Sequence, residues 1–522
     1  MTAPAKSLIF AALSLSVAWS CPGATRPRPR GFEDQYQLKV GELRQIKSPP
    51  ETPLTDGDKA EIKRRIRNLA KISNPDFGLS PTFSGSAFAP IAEAREAGTM
   101  LLTSHNVKTS PDLVELVKLG PKALPFLLTA IDDQTATKLV IPSHWAFGMM
   151  SFRNELSGNP ANTNEQALVN SAPELDPFPS GQPPASYTVK VGDVCFVIIG
   201  QIVGRPYSAV RYQPSGIIVI NSPPGEKSLA TRVRSIWSHQ LAKQSLLNSL
   251  LLDYATEAIT DGKSLDGLGR ASYFQCGAAM RLLYYFPKES SEFIAERLRK
   301  LDVRGGRNGS VYSDSQLKDY MQRELENKVG TVDFLKAVAW CRQPVVLKEV
   351  QSVFERTTDA EIALATAEAM NLSRPDLVLK RLPDFVSEQP KEESGPFGDG
   401  YNLLIKLGEL SITNAKPTFL AYMETDTLQR RRTMCHVLRK TRGEWSVELL
   451  SSFLNDTRSA NGWTYPVTPG QNEPRREIRI CDEAAETIAG NFPKLAFKME
   501  GEHANLDKQI ERMRNQIAHH EY

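Results

Sequence analysis

The last third of this 522-residue chain repeats one rhythm. Apolar residues at helical spacing, interrupted by Pro, Gly, Asn or Asp, mark helices over residues 346–358, 359–373, 376–388, 399–411, 415–425, 427–441, 445–455 and 475–490. In order they form four consecutive helix pairs. A helix pair is too thin to bury its own apolar face, so successive pairs must stack to close a core. The expected fold is therefore mainly α, an α-solenoid in which sequence neighbours are spatial neighbours, and a stack of this kind is a binding surface before it is anything else.

Composition agrees with a packed chain. Hydrophobic residues make up 41% and charged residues 24%, which argues against wholesale disorder. A net charge of +3 implies no strong bulk attraction to nucleic acid or anionic membrane.

Upstream of the array the pattern is less regular. Residues 56–150 read as an N-terminal helical segment, with Ile62, Ile66, Leu69 and Ala70 on one face of its first helix. Further helices are expected over 91–102 and from Ser110 to Leu119. Residues 151–186 are polar and Pro-rich and read as loop. Residues 187–225 change character. Val189, Val191, Val194, Phe196, Val197, Ile198 and Ile199 form a strand-like run and residues 217–220 another, so a small β insertion is expected near 187–221. Helices resume over 226–345, including 271–286, 291–301 and 313–329. The repeated pairs fill 346–490, and 491–522 reads as a polar tail.

Within the array, Ile362, Ala365, Thr366, Ala369 and Met370 share a helix face whose small residues permit close helix approach. Leu450, Phe453 and Leu454 form a stripe that ends at Asn455 and Asp456. Ile480, Ala484, Ala485 and Ile488 form its partner after an insertion at 457–474. These stripes, with Gly120, Pro121, Leu124, Pro125 and Asp133 earlier in the chain, resemble HEAT-type helical repeats. The resemblance covers about a third of the chain. It implies a stack of helix pairs, with Asp456 and Arg479 in the positions of the family's inter-repeat Asp–Arg ladder.

The N-terminus resembles a bacterial secretory signal peptide. Lys6 precedes an apolar core at residues 8–18, and Ala18 and Ser20 place small residues before Cys21, so cleavage after Ser20 is expected. The core falls short of the ~20 apolar residues of a membrane span. Cys21 is similar to the lipidated cysteine of bacterial lipoproteins, although Ala18 and Trp19 depart from the usual residues before it. Lipidation at Cys21 stays open and would be the chain's sole link to a membrane. Residues 21–55, with Arg26, Pro27, Arg28, Pro29 and Arg30, read as a tether that does not pack. Periplasmic or envelope-attached localisation follows.

Candidate chemistry is sparse. Neither metal-ligand spacing nor a phosphate loop is found, and no cofactor is expected. The six cysteines are scattered, and four of them, Cys276, Cys341, Cys435 and Cys481, sit on apolar stripes as small hydrophobes. A Cys-dependent hydrolase would use Cys195 with His144 or His239, but Cys195 lies inside an apolar run with nothing beside it to favour a thiolate. Two binding candidates stand out. Arg205, Tyr207, Arg211 and Tyr212 in the β element are residue types favoured in recognition. Arg430, Arg431 and Arg432, with Arg439, Lys440 and Arg442, have no acidic residue within 427–443 and so suit an anionic partner. The expectation is a non-enzymatic scaffold that binds a protein or an anionic macromolecule. A hydrolase and a cytosolic nucleic-acid-binding repeat are the alternatives.

Overall fold

A computed structural model of the chain describes residues 45–73, 85, 87–91, 110–142, 150–159, 162–171, 185–212, 218–238, 242–255, 271–301, 303, 331–373, 375–388, 399–409, 415–424, 426–441, 443–466 and 475–521. The expected helices over 91–102 and 313–329, together with Cys21, His144 and His239, lie outside these residues. The described chain is mainly helical with small sheets.

Helix α1 (Asp56–Asn68) starts at a capping box, in which Thr55 Oγ1 accepts from the Asp58 N–H at 3.1 Å and Asp58 accepts from the Thr55 N–H at 2.9 Å. Its Ile62 and Ile66 are buried. Ser110 caps α2 (Pro111–Leu119), and α3 (Leu124–Thr129) follows the turn at Gly120 and Pro121. Strand β1 (Ala136–Pro142) pairs antiparallel with β3 (Ser186–Lys190). A second sheet has the order β2 (Met150–Arg153), β5 (Ile218–Asn221), β4 (Val210–Tyr212), with its first pair parallel and its second antiparallel. Helix α4 (Thr163–Asn170) sits inside the segment expected to be loop, where Asn162 caps it.

The largest departure from expectation is at residues 191–203. They form a helix, α5 (Val191–Val203), and not a strand. All thirteen residues of α5 are buried. A helix enclosed on every side is apolar all round, so it loses the 3.6-residue periodicity that would separate it from a buried strand. Its ends carry the information that its middle lacks. Asp193 accepts from the Lys190 N–H at 2.8 Å, and Gly204 closes the helix at φ 73°, a left-handed conformation suited to glycine. Tertiary burial overrode the strand preference of the Val and Ile run.

Helices α6 (Lys227–Trp237), α7 (Ala242–Ala255), α8 (Ala271–Tyr285) and α9 (Pro287–Lys300) complete the upstream region. The end of the expected tether is docked here. The Ser48 N–H donates to Gln244 Oε1 at 2.7 Å, and Glu51 Oε1 accepts from the Lys243 N–H at 2.9 Å at the start of α7. Ile46 and Leu54 pack on the core below.

The array then runs α10 (Pro344–Arg356), α11 (Ala360–Ser373), α12 (Pro375–Glu388), α13 (Asp399–Glu409), α14 (Lys416–Met423), α15 (Leu428–Val437), α16 (Glu444–Ser451) and α17 (Ile480–Asn491). Each expected helix is present to within a few residues. The insertion before α17 builds an antiparallel ribbon of β6 (Ser459–Pro466) and β7 (Arg475–Arg479), so 475–479 is strand and not helix. The expected polar tail holds α18 (His503–Ala518), which buries Leu506, Ile510 and Met513.

Packing follows chain order. Among the helix contacts are α3 with α5, α7 with α8, α8 with α9, α9 with α10, α10 with α11, α11 with α12 and with α13, α12 with α13, α13 with α15, α15 with α17, and α17 with α18. Two cores result. The first gathers residues from Ile62 to Ile362, the second from Phe354 to Met513. Helices α10 and α11 serve both. Val346, Val350, Val353 and Ile362 face the first core, while Phe354, Ala360, Ala363, Ala367 and Met370 face the second.

The cap of α5 yields a pH-dependent expectation. Asp193 is fully enclosed; the Tyr187 hydroxyl donates to it at 2.6 Å, and its Oδ1 has no hydrogen-bond partner. Burial pushes the carboxyl up to about 6, from 3.8, against the pull of Tyr187 and the Lys190 N–H. A folded pKa above the unfolded one contributes stability that is complete below about 3.8 and is lost as pH rises through about 6. Asp193→Asn keeps an acceptor for both donors and stays neutral. Its stability relative to the parent, measured by urea unfolding, should rise by on the order of 2 kcal/mol between pH 4 and 7. A difference that does not vary with pH would contradict this origin.

Candidate functional site

Two clusters of charged side chains were expected at the surface, and the structure places them differently. In the β element, Arg205 is not a surface residue. It follows the α5 cap, is fully buried, and grips two carboxylates. Its Nε and Nη2 donate to Glu165 of α4 at 2.6 and 2.9 Å, and its Nη1 and Nη2 donate to Asp253 of α7 at 2.5 and 3.1 Å. Asn159 Nδ2 donates to Asp253 at 2.7 Å, and the rings of Trp237 and Phe274 lie 5.5 and 5.4 Å from the guanidinium centre. Burial disfavours the cation, but Asp253 and Glu165 outweigh it and hold the guanidinium charged. Tyr207 is also buried; its ring stacks on Phe196 at 4.8 Å, and its hydroxyl accepts from Trp237 Nε1 at 3.1 Å.

Arg211 is half-exposed, in a bidentate pair with Glu155 at 2.7 and 3.0 Å. Tyr212 pairs through its backbone opposite Ile218. The element thus does not gather Arg205, Tyr207 and Arg211 on one recognition surface. Arg205 and Tyr207 tie the fold together instead.

The second cluster, Arg430 to Arg432 on α15, meets partners brought from other elements. Arg430 Nη1 donates to the Tyr422 carbonyl at 2.6 Å, with its guanidinium over the Tyr422 ring. Arg431 bonds Asp426 through Nε at 2.7 Å and Asp456 through Nη1 at 3.1 Å, and it covers Phe453. Arg432 faces Glu483 of α17 at 4.0 Å, and Arg439 reaches Glu486 at 3.1 Å. The basic run is one side of a mixed-charge seam between stacked helices, and an unopposed cationic patch does not form.

The Asp456–Arg479 ladder implied by the repeat resemblance is also absent. Asp456 bonds Arg458 at 2.7 and 2.9 Å as well as Arg431, whereas Arg479 turns to Asp482 at 2.8 Å and Asp507 at 2.7 Å. The base of the β6–β7 ribbon sets the two segments side by side, with the Cys481 N–H donating to the Asp456 carbonyl at 2.9 Å, yet the Asp456 and Arg479 side chains each pair elsewhere. Arg458 and Arg431 hold the Asp456 carboxyl below its ordinary range.

Cys195 lies in the middle of α5 with no exposure, and burial pushes its thiol far above the ordinary range. The Cys276 and Cys435 thiols are pushed up for the same reason. Among the described residues, no group of three or more His, Cys, Asp or Glu could hold a metal ion.

Glu165, Asp253, Glu483 and His436 were missed by sequence reasoning. Arg205 meets its acids across 40 and 48 residues of chain, so no local spacing marks them. No protein family, curated protein or solved structure matches this chain.

The buried clamp makes a prediction opposite to the one its sequence position suggests. Arg205→Met leaves two carboxylates enclosed without their cation and should cost about 3–5 kcal/mol in urea unfolding. Arg211→Ala, at a half-exposed pair, should change stability by less than about 1 kcal/mol. Equal effects would contradict the assignment of Arg205 to the interior.

Proposed function

We propose that this protein is a non-enzymatic helical-repeat scaffold, an α-solenoid of HEAT-like pairs that binds a macromolecular partner. The observation that carries this reading is the double role of α10 and α11, which supply residues to both cores. Helices that serve the units on either side are what a stack of repeats requires. The mixed-charge seam along α14, α15 and α17 favours a protein surface of both signs over a polyanion, because Arg430 and Arg431 are already engaged and the Arg432 side chain is mostly buried against α17. Electrostatic contacts of this kind set partner choice more than affinity. An anion-binding role for these three arginines is therefore not part of the proposal.

The hydrolase alternative loses its support, since Cys195 is enclosed and its thiolate disfavoured. Export to the periplasm or envelope rests on Lys6, the apolar core at 8–18, and Ala18 and Ser20 before Cys21. Among the described residues no helix is long and apolar enough to cross a membrane. Lipidation of Cys21 would give the chain a membrane attachment.

Cross-linking of the tagged full-length chain in intact cells, followed by mass spectrometry, tests the binding role. The same protein partner should be recovered repeatedly with cross-links confined to one helical face, and a chain that cross-links to no defined partner would contradict it. Intact-mass analysis of protein from the native host tests export: the mature chain should begin at Cys21, and retention of Met1 would remove the envelope assignment.

A further inference from the structure

The contact between α15 and α17 encloses a carboxyl that, among the described residues, no cation hydrogen-bonds. Glu483 is only 5% exposed, and its Oε2 has no hydrogen-bond partner. Its Oε1 stands 3.8 Å from His436 Nε2 and 4.0 Å from Arg432 Nε, beyond hydrogen-bond length. Arg439, in the turn after α15, also acts on it, but its guanidinium is turned to Glu486 at 3.1 Å. On α17 itself, Asp482 and Glu486 add negative charge nearby. Asp482 is answered by Arg479 of β7, with His503 of α18 4.0 Å away, and Asp507 of α18 also turns to Arg479.

We propose that the α15–α17 contact is a proton-sensitive joint, in which a single proton rests on Glu483 beside a neutral His436. Loss of that proton places a negative charge between the two helices, on a carboxylate whose Oε2 has no hydrogen-bond partner. The inference goes beyond the scaffold reading and does not depend on it.

The local energetics agree with the geometry. Burial pushes the Glu483 carboxyl up to about 7, although Arg432 and Arg439 oppose it. Burial, with the same two arginines, pushes the His436 imidazole down to about 4. In the unfolded chain the ordinary values are 4.5 for Glu483 and 6.5 for His436, so near pH 5.5 the proton sits on the imidazole. Folding moves it to the carboxyl.

The two groups then act in opposite directions. Glu483 contributes stability that is complete below about 4.5 and is lost as pH rises through about 7. His436 contributes stability that is complete above about 6.5 and is lost as pH falls through about 4. Between 4.5 and 6.5 the contributions cancel, and only above that window does the joint lose its proton and loosen α17 with the α18 helix it carries.

Single substitutions separate the two halves. Urea unfolding of the full chain, followed between pH 4.5 and 6.5, should change slope in opposite senses for the two variants. Relative to the parent, Glu483→Gln leaves His436 unopposed and gains stability as pH rises, while His436→Gln leaves Glu483 unopposed and loses it. Each relative change should approach tenfold in the unfolding equilibrium constant per pH unit. Slopes of the same sign, or variants that both track the parent, would overturn the joint. If a variant does not fold, the parent decides: its His436 imidazole proton signal should titrate near pH 4, and titration near the ordinary histidine value would equally overturn it.

Discussion

The guanidinium of Arg205 lies where α4, α7 and the end of α5 meet, and its removal from water sets the terms for the upstream half of the molecule. An isolated buried cation is costly, so its position demands both Glu165 and Asp253, and each of these fixes a helix. Asn159 holds Asp253 in turn, and the Trp237 and Phe274 rings bring α6 and α8 against the same group. A second buried arginine, Arg281 of α8, ties in the short segment at 87–91: its Nη2 donates to the Ala87 carbonyl at 3.0 Å and its Nε to the Gln201 carbonyl at 2.6 Å. Because these bonds are directional, they select one arrangement among the many that apolar burial alone would tolerate.

The downstream half is organised differently. Its helices meet in chain order, and its charged residues lie mostly along seams between neighbours. Asp426, Arg431, Asp456 and Arg458 form one connected run, and Arg439 with Glu486 spans the next contact. Asp456 in the first run is buried, whereas the Arg439–Glu486 pair is half-exposed, and pairs of that kind add little stability each. Their use is in register, since a helix displaced along the seam would set like charges against one another.

Much of this architecture was legible in the sequence. The array helices announce themselves through stripes such as Leu450, Phe453 and Leu454, because each has one buried and one wet face, and all three residues are buried in the fold. Helix α5 was not legible from its middle, since burial on every side erased the period, and only Asp193 and Gly204 marked its ends. The tail helix α18 was overlooked because three buried residues, Leu506, Ile510 and Met513, sit among many charges. The charged sites were the least legible. Arg430, Arg431 and Arg432 look unopposed along the chain, yet Asp456 and Glu483 arrive from a turn and a helix packed beside them. Residue type and local spacing carry no information about such pairs, which exist only once the chain has folded.

The central claim is that the two cores are one continuous stack joined through α10 and α11. Hydrogen exchange read by mass spectrometry on a Phe354→Ala variant tests it most directly, since Phe354 is fully buried in the second core while its helix also lines the first. Truncation of a buried Phe costs about 3–5 kcal/mol. A continuous stack predicts faster exchange on both sides of the substitution, in α8 and α9 as well as in α12 and α13, fading with distance in either direction. Faster exchange confined to α12 and beyond, with α8 and α9 protected as in the parent, would show two independent units and contradict the account.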